Sequence, residues 1–294
     1  MKDVIIIGGG PAGLTAAVYA ARSGKSVLLF EKESYGGQIS KSGLVENFPS
    51  QKAISGFEFS MNLYNQAKAF GCEFIKENVV SVTDGEIKKV VTSKNEYECR
   101  NVIFALGASP RKSGLPNEDA LIGRGLSYCA HCDGNFFRKR DVAVVGGGST
   151  ALQDALYLSE ICNRVYLIHR RNEFRGEAAL VERVKGKQNI EIIYDSTLER
   201  ASGEPMLKNI TVKNKNSGEE REIAVNGLFL AIGYVPGTKG FENILPLDEY
   251  GYVDVDESCR VKDGIFVCGD CRKKALRQLT TAVSDGSVAG ASAE

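Results

Sequence analysis

The chain of 294 residues is long enough for about two domains, and its hydrophobic content of 43% can supply a large core. Because 37 basic residues balance 37 acidic ones, the charge gives no argument for binding to nucleic acid or to an anionic membrane surface. No apolar run is long enough to span a bilayer and the N-terminus has no signal-peptide pattern, so the sequence predicts a cytoplasmic protein.

Residues 4–30 predict a βαβ unit with a glycine-rich turn. An apolar strand over 4–7 leads into Gly8-Gly9-Gly10-Pro11-Ala12-Gly13, and an alanine-rich helix over 14–22 precedes a second apolar strand over 26–30. Glycines allow the backbone to approach a pyrophosphate, and the helix N-terminus offers it N–H donors. Glu31 closes the second strand at a spacing of about 20 residues, where a carboxylate can accept the ribose hydroxyls. The unit therefore predicts a nucleotide-binding site.

Eight cysteines are present, and in a long chain predicted to be cytoplasmic their default state is the free thiol. Cys129-Ala-His-Cys132 has the two-residue spacing that supports disulfide exchange, and His131 and Asp133 can share protons with the pair. The alternative is half of a zinc site, for which Cys268 and Cys271 form the only second pair with ligand spacing. The remaining cysteines are interpreted as small core or surface residues: Cys72, Cys99, Cys162 and Cys259.

The same βαβ pattern recurs at residues 142–168, with strands over 142–145 and 165–168, a helix over 152–159, and the turn Gly146-Gly147-Gly148-Ser149-Thr150-Ala151. At the position that Glu31 holds in the first unit, the chain has His169-Arg170-Arg171, and Arg175 follows one helical turn later. A carboxylate would repel a 2′-phosphate, whereas guanidinium groups bind one bidentately. The second unit therefore predicts an NADPH site; the alternative is that the arginines form only a solvated helix start.

Two dinucleotide folds in one chain indicate a flavin relay, in which NADPH reduces FAD and the Cys129/Cys132 pair accepts the electrons. Together these features resemble the low-molecular-weight, bacterial-type thioredoxin reductases of pyridine nucleotide-disulfide oxidoreductase class II, along nearly the whole chain. The matching segments are 8–13, 36–38, 46–49, 105–107, 129–134, 146–151, 169–175, 231–233, 269–270 and 277–280.

The resemblance implies roles for particular residues. The cofactor-binding residues that it implies in the first fold and at the chain's C-terminal end are Gly8, Gly10, Pro11, Ala12, Gly13, Glu31, Lys32, Gly37, Gln38, Asn47, Ala105, Gly107, Gly269, Asp270, Arg277, Gln278 and Leu279. Those that it implies in the second fold are Gly146, Gly148, Ser149, Thr150, Ala151, His169, Arg170, Arg171, Arg175, Ile232 and Gly233. In this family Cys132 would lie nearest the flavin, Cys129 would exchange with the partner, and Asp133 would be the acid/base. Thioredoxin would dock at Arg124, Phe136 and Phe137, and the enzyme would be a homodimer.

The order of the repeats predicts the domain layout. FAD residues occur at both ends of the chain and NADPH residues in the middle, so the fold class is α/β with two Rossmann-like domains, the NADPH domain being inserted into the FAD domain. We expect an FAD-binding domain over 1–112 and 242–294 and an NADPH-binding domain with the redox pair over 113–241. Turn-rich segments at 109–114 and 234–240 mark the seams. Residues 190–232 read as a strand meander that completes the second domain.

The chain departs from the family pattern at three places. His131 replaces the threonine often found between the two cysteines, and it either changes a thiolate pKa or partner choice, or is neutral spacing. Cys268 and Cys271 flank Asp270 and are interpreted as small buried residues, with a second redox pair as the alternative. The last helix is expected to lack a few residues, because the chain stops at residues 293–294.

Other functions remain as alternatives at this stage: reduction of a different small dithiol protein, a ferredoxin–NADP reductase, a peroxiredoxin-reducing relative, a dithiol oxidase or ferredoxin-driven reductase, and a nucleotide-binding redox sensor. The CxxC pair argues against the ferredoxin–NADP reductase. The second glycine turn and its arginines argue against the oxidase and the ferredoxin-driven enzyme. A thioredoxin-disulfide reductase that uses NADPH is the function that the sequence predicts.

Overall fold

The computed structural model describes residues 1–42 and 44–293. The chain forms two compact units: one consists of Met1–Ser109 and the stretch that begins at Val235, and the other is Pro110–Tyr234. Among the described residues, no helix is both long and apolar enough to cross a membrane.

The elements follow one another in three stretches of chain. The first stretch forms β1 (Lys2–Ile7), α1 (Pro11–Arg22), β2 (Val27–Phe30), a 3-10 turn (Gly37–Lys41), α2 (Gly56–Ala69), β3 (Glu73–Ile75), β4 (Val79–Thr83), β5 (Lys88–Thr92), β6 (Glu96–Phe104) and β7 (Ala108–Pro110). The middle stretch forms α3 (Glu118–Leu121), β8 (Leu126–Ser127), α4 (Ala130–Asp133), a 3-10 turn (Gly134–Phe137), β9 (Asp141–Val145), α5 (Ser149–Ile161), β10 (Arg164–Ile168), α6 (Ala178–Lys185), β11 (Ile190–Ile193), β12 (Ser196–Ser202), β13 (Asn209–Asn214), β14 (Glu220–Ala224) and β15 (Gly227–Leu230). The final stretch forms β16 (Tyr234–Pro236), β17 (Arg260–Lys262), β18 (Ile265–Val267) and α7 (Leu279–Ser292).

The first unit is built on a sheet with strand order β17-β18-β6-β1-β2-β3, to which β5 and β4 add through β6. Strand β1 pairs in parallel with β2 and β6, and β18 pairs in parallel with β6. Val4 and Ile6 pack on the face covered by α1 and α7, while Ile5 and Ile7 pack on the opposite face. Burial on both faces explains why β1 is apolar throughout rather than alternating.

The second unit is built on a parallel sheet with strand order β11-β10-β9-β15-β8. Helices α5 and α6 cover the face that includes Val142 and Leu167, and the meander β12–β13–β14 covers the face that includes Ala143 and Ile168. The sequence interpretation of 190–232 as one meander was too broad, because β11 and β15 at its two ends belong to the parallel sheet. The run Gly227–Leu230 is buried at every position, which suits a central strand.

The two chain segments that connect the units pair with each other, as the short strands β7 and β16. The chain leaves the first unit after Ser109 and returns to it at Val235. The boundaries expected from the sequence, at 112/113 and 241/242, lie a few residues further along the chain. The predicted α/β class with two parallel-sheet folds is confirmed.

Candidate functional site

The first glycine turn, which joins β1 to α1, is packed so closely that side chains are excluded from it. A Cβ at Gly8 would lie 2.3 Å from the carbonyl oxygen of Ala105, and a Cβ at Gly13 would lie 1.9 Å from the carbonyl oxygen of Gly8. A Cβ at Gly10, the N-cap residue of α1, would contact none of the described residues. The N-terminus of α1 therefore faces an accessible space at Gly10, as an anion-binding turn requires.

Residues from distant parts of the chain meet at this turn. The backbone N–H of Gly9 donates to Glu31 Oε2 at 2.7 Å, and the Glu33 N–H donates to Glu31 Oε1 at 2.8 Å. Each carboxylate oxygen keeps a lone pair, so ribose hydroxyls can still donate to Glu31. Gly37 approaches Gly10, and Gly269 approaches Ala12 from the C-terminal part of the chain. Glu31, Gly37 and Gly269 thus come together around the N-terminus of α1.

Asp270 lies in the loop between β18 and α7, and one of its oxygens has no protein partner. Burial raises the pKa of this carboxyl, while Lys274 and Arg277 act in the opposite direction. Among the described residues, the buried Oδ1 atom accepts no hydrogen bond. Because a buried acceptor without a donor costs about 1–3 kcal/mol, the atom calls for a hydroxyl-bearing ligand. This orphaned oxygen fits FAD, whose ribityl chain carries hydroxyl groups.

Asp285, on α7, holds the loop of Asp270 in place, and the sequence analysis did not single it out. Its carboxylate accepts from the Gly269 N–H at 2.9 Å and from Lys274 Nζ at 2.6 Å, and it forms an ion pair with Arg272 Nη1 at 2.8 Å. The Arg272 side chain is 2% exposed and the Asp285 side chain 7%. The sequence does contain one indication of this role. Residues 284–291 are mostly small, which predicts a closely packed helix, and a carboxylate in such a helix needs a buried partner.

The remaining predicted residues of the first unit vary in their placement. Asn47 Nδ2 donates to Gln278 Oε1 at 3.0 Å, although the two residues are far apart in sequence, and Gln38 donates to the Ala108 carbonyl. Arg277 Nε donates to the Asp270 carbonyl at 3.1 Å. The Leu279 side chain packs in a small core cluster, so only its backbone N–H, at the start of α7, can reach a ligand. Lys32 is exposed on the surface.

The second glycine turn, between β9 and α5, repeats the geometry of the first. A Cβ at Gly146 would lie 2.4 Å from the carbonyl oxygen of Ala231, which directly precedes the predicted Ile232 and Gly233. Gly148 faces open space among the described residues. The backbone N–H of Arg175 donates to the Gly147 carbonyl at 2.8 Å, and Ser149 Oγ accepts from the Glu177 N–H at 3.1 Å. The segment that carries the arginines is therefore tied to the turn.

The basic cluster combines one buried and three exposed side chains. His169 packs under the turn, where a Cβ on Gly147 would lie 2.1 Å from its ring atoms, and its Nε2 lies 2.9 Å from the Glu173 carbonyl. Burial lowers the pKa of His169, and the charges of Arg175, Arg171 and Arg170 lower it further, whereas the hydrogen bond with the Glu173 carbonyl acts in the opposite direction. Those three arginines are exposed, and none forms an ion pair within residues 1–42 and 44–293. They are available to an anionic ligand, whereas His169 supports the turn.

Cys129 and Cys132 form a disulfide in the second unit, the unit that also holds the second glycine turn. Cys129 is the N-cap of α4, and Cys132 and Asp133 lie within that helix. The His131 ring packs against Tyr157 with the ring centroids 4.4 Å apart, and partial burial lowers the pKa of His131. Asp133 Oδ2 accepts from Ser127 Oγ at 2.6 Å. The sequence analysis missed Ser127.

Tyr128, the residue before Cys129, is fixed by two contacts. Its hydroxyl donates to Glu118, and its backbone carbonyl accepts from the Tyr234 hydroxyl at 3.1 Å. Burial acts to raise the pKa of Glu118, but hydrogen bonds from Ser113 and Tyr128 outweigh it and leave that pKa below its usual value. The backbone that enters the disulfide is therefore held by an ionised, hydrogen-bonded carboxylate.

The three residues expected to dock a partner differ in exposure. Arg124 is exposed, and the Phe136 side chain is 54% exposed. Phe137 is only 8% exposed, because it packs against Phe229 and over Gly227 in the core of the second unit. Its ring therefore offers a partner little surface.

The other cysteines are buried free thiols: Cys72, Cys99, Cys162, Cys259, Cys268 and Cys271. Cys268 and Cys271 are fully buried and form no disulfide, as their interpretation as small buried residues predicts. Burial raises the pKa of Cys271 to about 11, which keeps it in the unreactive thiol form. Among the described residues, no group of three or more metal-ligating side chains is found.

Comparison with known proteins places the chain among flavin-dependent disulfide reductases. The pyridine nucleotide-disulphide oxidoreductase family model matches residues 2–286. The thioredoxin reductase of Bacillus subtilis is 40% identical over 295 residues, which cover 99% of this chain and 93% of the relative. That of Streptomyces coelicolor is 42% identical over 300 residues, covering 100% and 93%. The crystal structure of thioredoxin reductase from Streptococcus pyogenes has a TM-score of 0.92 and 39% identity, covering 99% of this chain and 96% of that one.

Proposed function

Since the chain belongs to the pyridine nucleotide-disulphide oxidoreductase family, we propose that it is an NADPH-dependent flavoprotein that reduces the disulfide of thioredoxin. The observation that carries the proposal is the Cys129–Cys132 disulfide, in a chain about 40% identical over nearly its whole length to proteins named thioredoxin reductase. A ferredoxin–NADP reductase of the same architecture has no use for this disulfide.

The chain binds FAD and NADPH, as its family does. The bound flavin supplies two-electron chemistry between a nicotinamide and a disulfide. We propose that FAD lies along the first glycine turn, with Glu31 accepting from ribose hydroxyls and Asp270 Oδ1 from a ribityl hydroxyl. The orphaned Asp270 oxygen and the accessible N-terminus of α1 support this assignment. The other predicted residues of the first unit share this role, Leu279 through its backbone alone.

We propose that NADPH binds at the second glycine turn. Exposed guanidinium groups without ion-pair partners in the described chain support binding of the 2′-phosphate by Arg170, Arg171 and Arg175. His169 supports the turn from below, since its ring is buried under Gly147 and bonded to the Glu173 carbonyl.

In the reduced pair, we propose that the Cys129 thiolate attacks one sulfur of the partner's disulfide, which forms a mixed disulfide and releases the partner's other sulfur as a thiolate. The Cys132 thiolate then attacks Cys129, which closes the Cys129–Cys132 disulfide and releases the second partner thiolate. Asp133, one residue from Cys132, takes the proton of the attacking thiol and gives it to a departing thiolate. The two electrons from NADPH are thereby transferred to two partner thiols.

Thioredoxin is the partner that the relatives' names indicate. We propose that Arg124 and the exposed Phe136 contact it, and that Phe137 supports Phe136 from the core. A homodimer and a cytoplasmic location are the states that the family resemblance favours.

The function is tested by NADPH oxidation with purified FAD-loaded protein and a panel of oxidised dithiol carriers. Thioredoxin should give the highest kcat/KM, and the Cys129→Ser and Cys132→Ser variants should lose this activity while NADPH still bleaches the flavin. A redox sensor would show bleaching without turnover. A higher kcat/KM with a glutaredoxin-like protein would move the assignment to another dithiol partner.

A further inference from the structure

We propose that Ser127 is a positioning residue for disulfide exchange, which orients the Asp133 carboxylate and the backbone of Cys129 through one hydroxyl group. The inference rests on the proposed function, because it assigns Ser127 a task in the exchange with thioredoxin. Neither a glycine motif nor the CxxC spacing includes this residue.

Ser127 ends the short strand β8, whose pairing with β15 fixes its backbone, with Ser127 opposite Phe229. It is 6% exposed. Its Oγ atom lies 2.6 Å from Asp133 Oδ2, 3.0 Å from the Cys129 backbone nitrogen and 3.3 Å from the Cys129 carbonyl oxygen. One buried hydroxyl therefore touches both the predicted acid/base and the cysteine predicted to attack the partner.

The single proton of the Ser127 hydroxyl limits which of these contacts can be a donated hydrogen bond. A hydroxyl has one proton to donate and can accept as well. The contact with Asp133 Oδ2, at 2.6 Å, is much shorter than the contact with the Cys129 carbonyl oxygen, at 3.3 Å. Ser127 therefore donates to Asp133 and accepts from the Cys129 N–H. Alanine can do neither, and threonine keeps the hydroxyl.

A simpler role for the hydroxyl would be local. Serine side chains often accept from the N–H two residues later and thereby stabilise a turn. That role explains the contact with Cys129 but not the contact with Asp133, which lies six residues away on the far side of the disulfide. The two roles predict different results when Asp133 is changed.

The position of the Asp133 carboxylate matters in the exchange because the thiolate that leaves the partner must be protonated by a group within hydrogen-bond reach. Ser127 removes rotational freedom from that carboxylate before the partner arrives. The transfer of electrons from NADPH to the flavin does not involve Asp133, so it does not depend on Ser127.

The test compares Ser127→Ala with the parent enzyme in both half-reactions. We expect the rate of flavin reduction by NADPH to be unchanged in stopped-flow measurements. The kcat with thioredoxin should fall about tenfold, with KM changing less than twofold, as for the loss of one hydrogen bond. Ser127→Thr should recover at least about half of the parent kcat. Ser159→Ala is the matched control: Ser159 is also buried in the second unit, at 8% exposure, and its hydroxyl donates to the Leu156 carbonyl at 2.7 Å. It should retain the parent kcat.

A double-mutant cycle separates positioning from a turn-stabilising role. If Ser127 acts through Asp133, then Ser127→Ala should cause no further loss of kcat in an Asp133→Asn background. A further tenfold loss in that background, a full parent kcat for Ser127→Ala, or a Ser127→Thr variant as slow as the alanine variant would overturn the proposal. The proposed function fails separately, when the parent enzyme itself does not reduce thioredoxin.

Discussion

Replacing Asp285 with alanine removes the anion that anchors the flavin-binding loop. The carboxylate forms ion pairs with Arg272 and Lys274 and accepts from the backbone N–H of Gly269, with distances between 2.6 and 2.9 Å. The Arg272 side chain is 2% exposed and that of Lys274 is 10% exposed, so water cannot replace the lost partner. The substitution leaves two buried cations with one fewer counter-charge, and it frees the loop that holds Asp270.

The expected loss of stability follows from the burial of these side chains. Removing one partner of a buried ion pair costs about 3–5 kcal/mol, because the other charge stays buried and uncompensated. Lys274 lies near enough to Asp270 to lower the pKa of that carboxyl, so Asp270 still compensates part of the Lys274 charge when Asp285 is removed. The lower end of the range therefore applies. We expect Asp285→Ala to lower the free energy of unfolding of the FAD-free protein by about 3 kcal/mol, a large part of the 5–15 kcal/mol typical of a domain. FAD affinity should fall as well, because Gly269 no longer fixes the position of Asp270.

The assay uses urea unfolding followed by circular dichroism, because the chain has no tryptophan. FAD affinity is measured by the recovery of flavin fluorescence on dilution. Lys273→Ala is the matched control, since Lys273 pairs with Asp254 at 2.8 Å in the same loop but with side chains 58% and 60% exposed. Exposed pairs contribute about 0–1 kcal/mol, so this variant should differ little from the parent. The reasoning is refuted if Asp285→Ala unfolds within about 1 kcal/mol of the parent and retains its FAD affinity.

The other predictions concern the coenzyme and the buried thiols. Replacing both Arg170 and Arg171 by alanine should lower kcat/KM for NADPH at least tenfold and leave kcat/KM for NADH nearly unchanged. The reason is that each charge-assisted hydrogen bond to the 2′-phosphate contributes about 1.5–3 kcal/mol. Equal kcat/KM values for the two coenzymes in the parent enzyme would contradict the 2′-phosphate assignment. Cys268→Ala and Cys271→Ala should keep at least half of the parent kcat with thioredoxin, because both thiols are buried and form no disulfide. An inactive variant that still binds FAD would show that this pair takes part in electron transfer.

The parts of the fold that the sequence predicted are those in which a short run of residues determines the local structure. The strand at 4–7, the glycine turn and the following helix form one contiguous pattern, although the helix begins at Pro11, inside the predicted turn, rather than at the predicted residue 14. The repeat at 142–168 is predictable for the same reason. The Cys129–Cys132 disulfide needs only neighbouring residues to form. The limits of the meander were missed because Ile190–Ile193 and Gly227–Leu230 have strand composition whichever sheet they join.

Features that depend on tertiary contacts were not predictable in this way. Ser127 and Asp285 are common polar residues, and their importance arises from burial and from partners brought close by folding. The different exposure of Phe136 and Phe137 depends on which ring meets Phe229. Asn47 and Gln278 meet only because two ends of the chain contribute to one unit. In each case the sequence supplies the chemical group, and the fold supplies the contact.

The chain's two histidines allow the second nucleotide site to be monitored separately from the disulfide. His169 lies among the three arginines of the basic cluster, and its pKa is lowered below the 6.5 of a free imidazole first by burial and then by their charges. His131 packs against Tyr157 beside Cys132, and burial alone lowers its pKa. Since both folded-state values lie below the unfolded one, each histidine reduces stability as the pH falls below about 6.5. A phosphate dianion bound by the arginines would cancel part of their positive field at His169.

We therefore expect NADP⁺ to raise the pKa of His169 and to leave that of His131 unchanged in an NMR titration of histidine-labelled protein. The sign follows from charge: neutralising nearby guanidinium groups makes protonation of the imidazole less unfavourable. NAD⁺ is the control, because it occupies the same turn without a 2′-phosphate and should leave the pKa of His169 lower than NADP⁺ does. If saturating NADP⁺ and NAD⁺ moved the pKa of His169 equally, the arginines would not be the phosphate site, and the coenzyme preference would have to arise elsewhere in the chain.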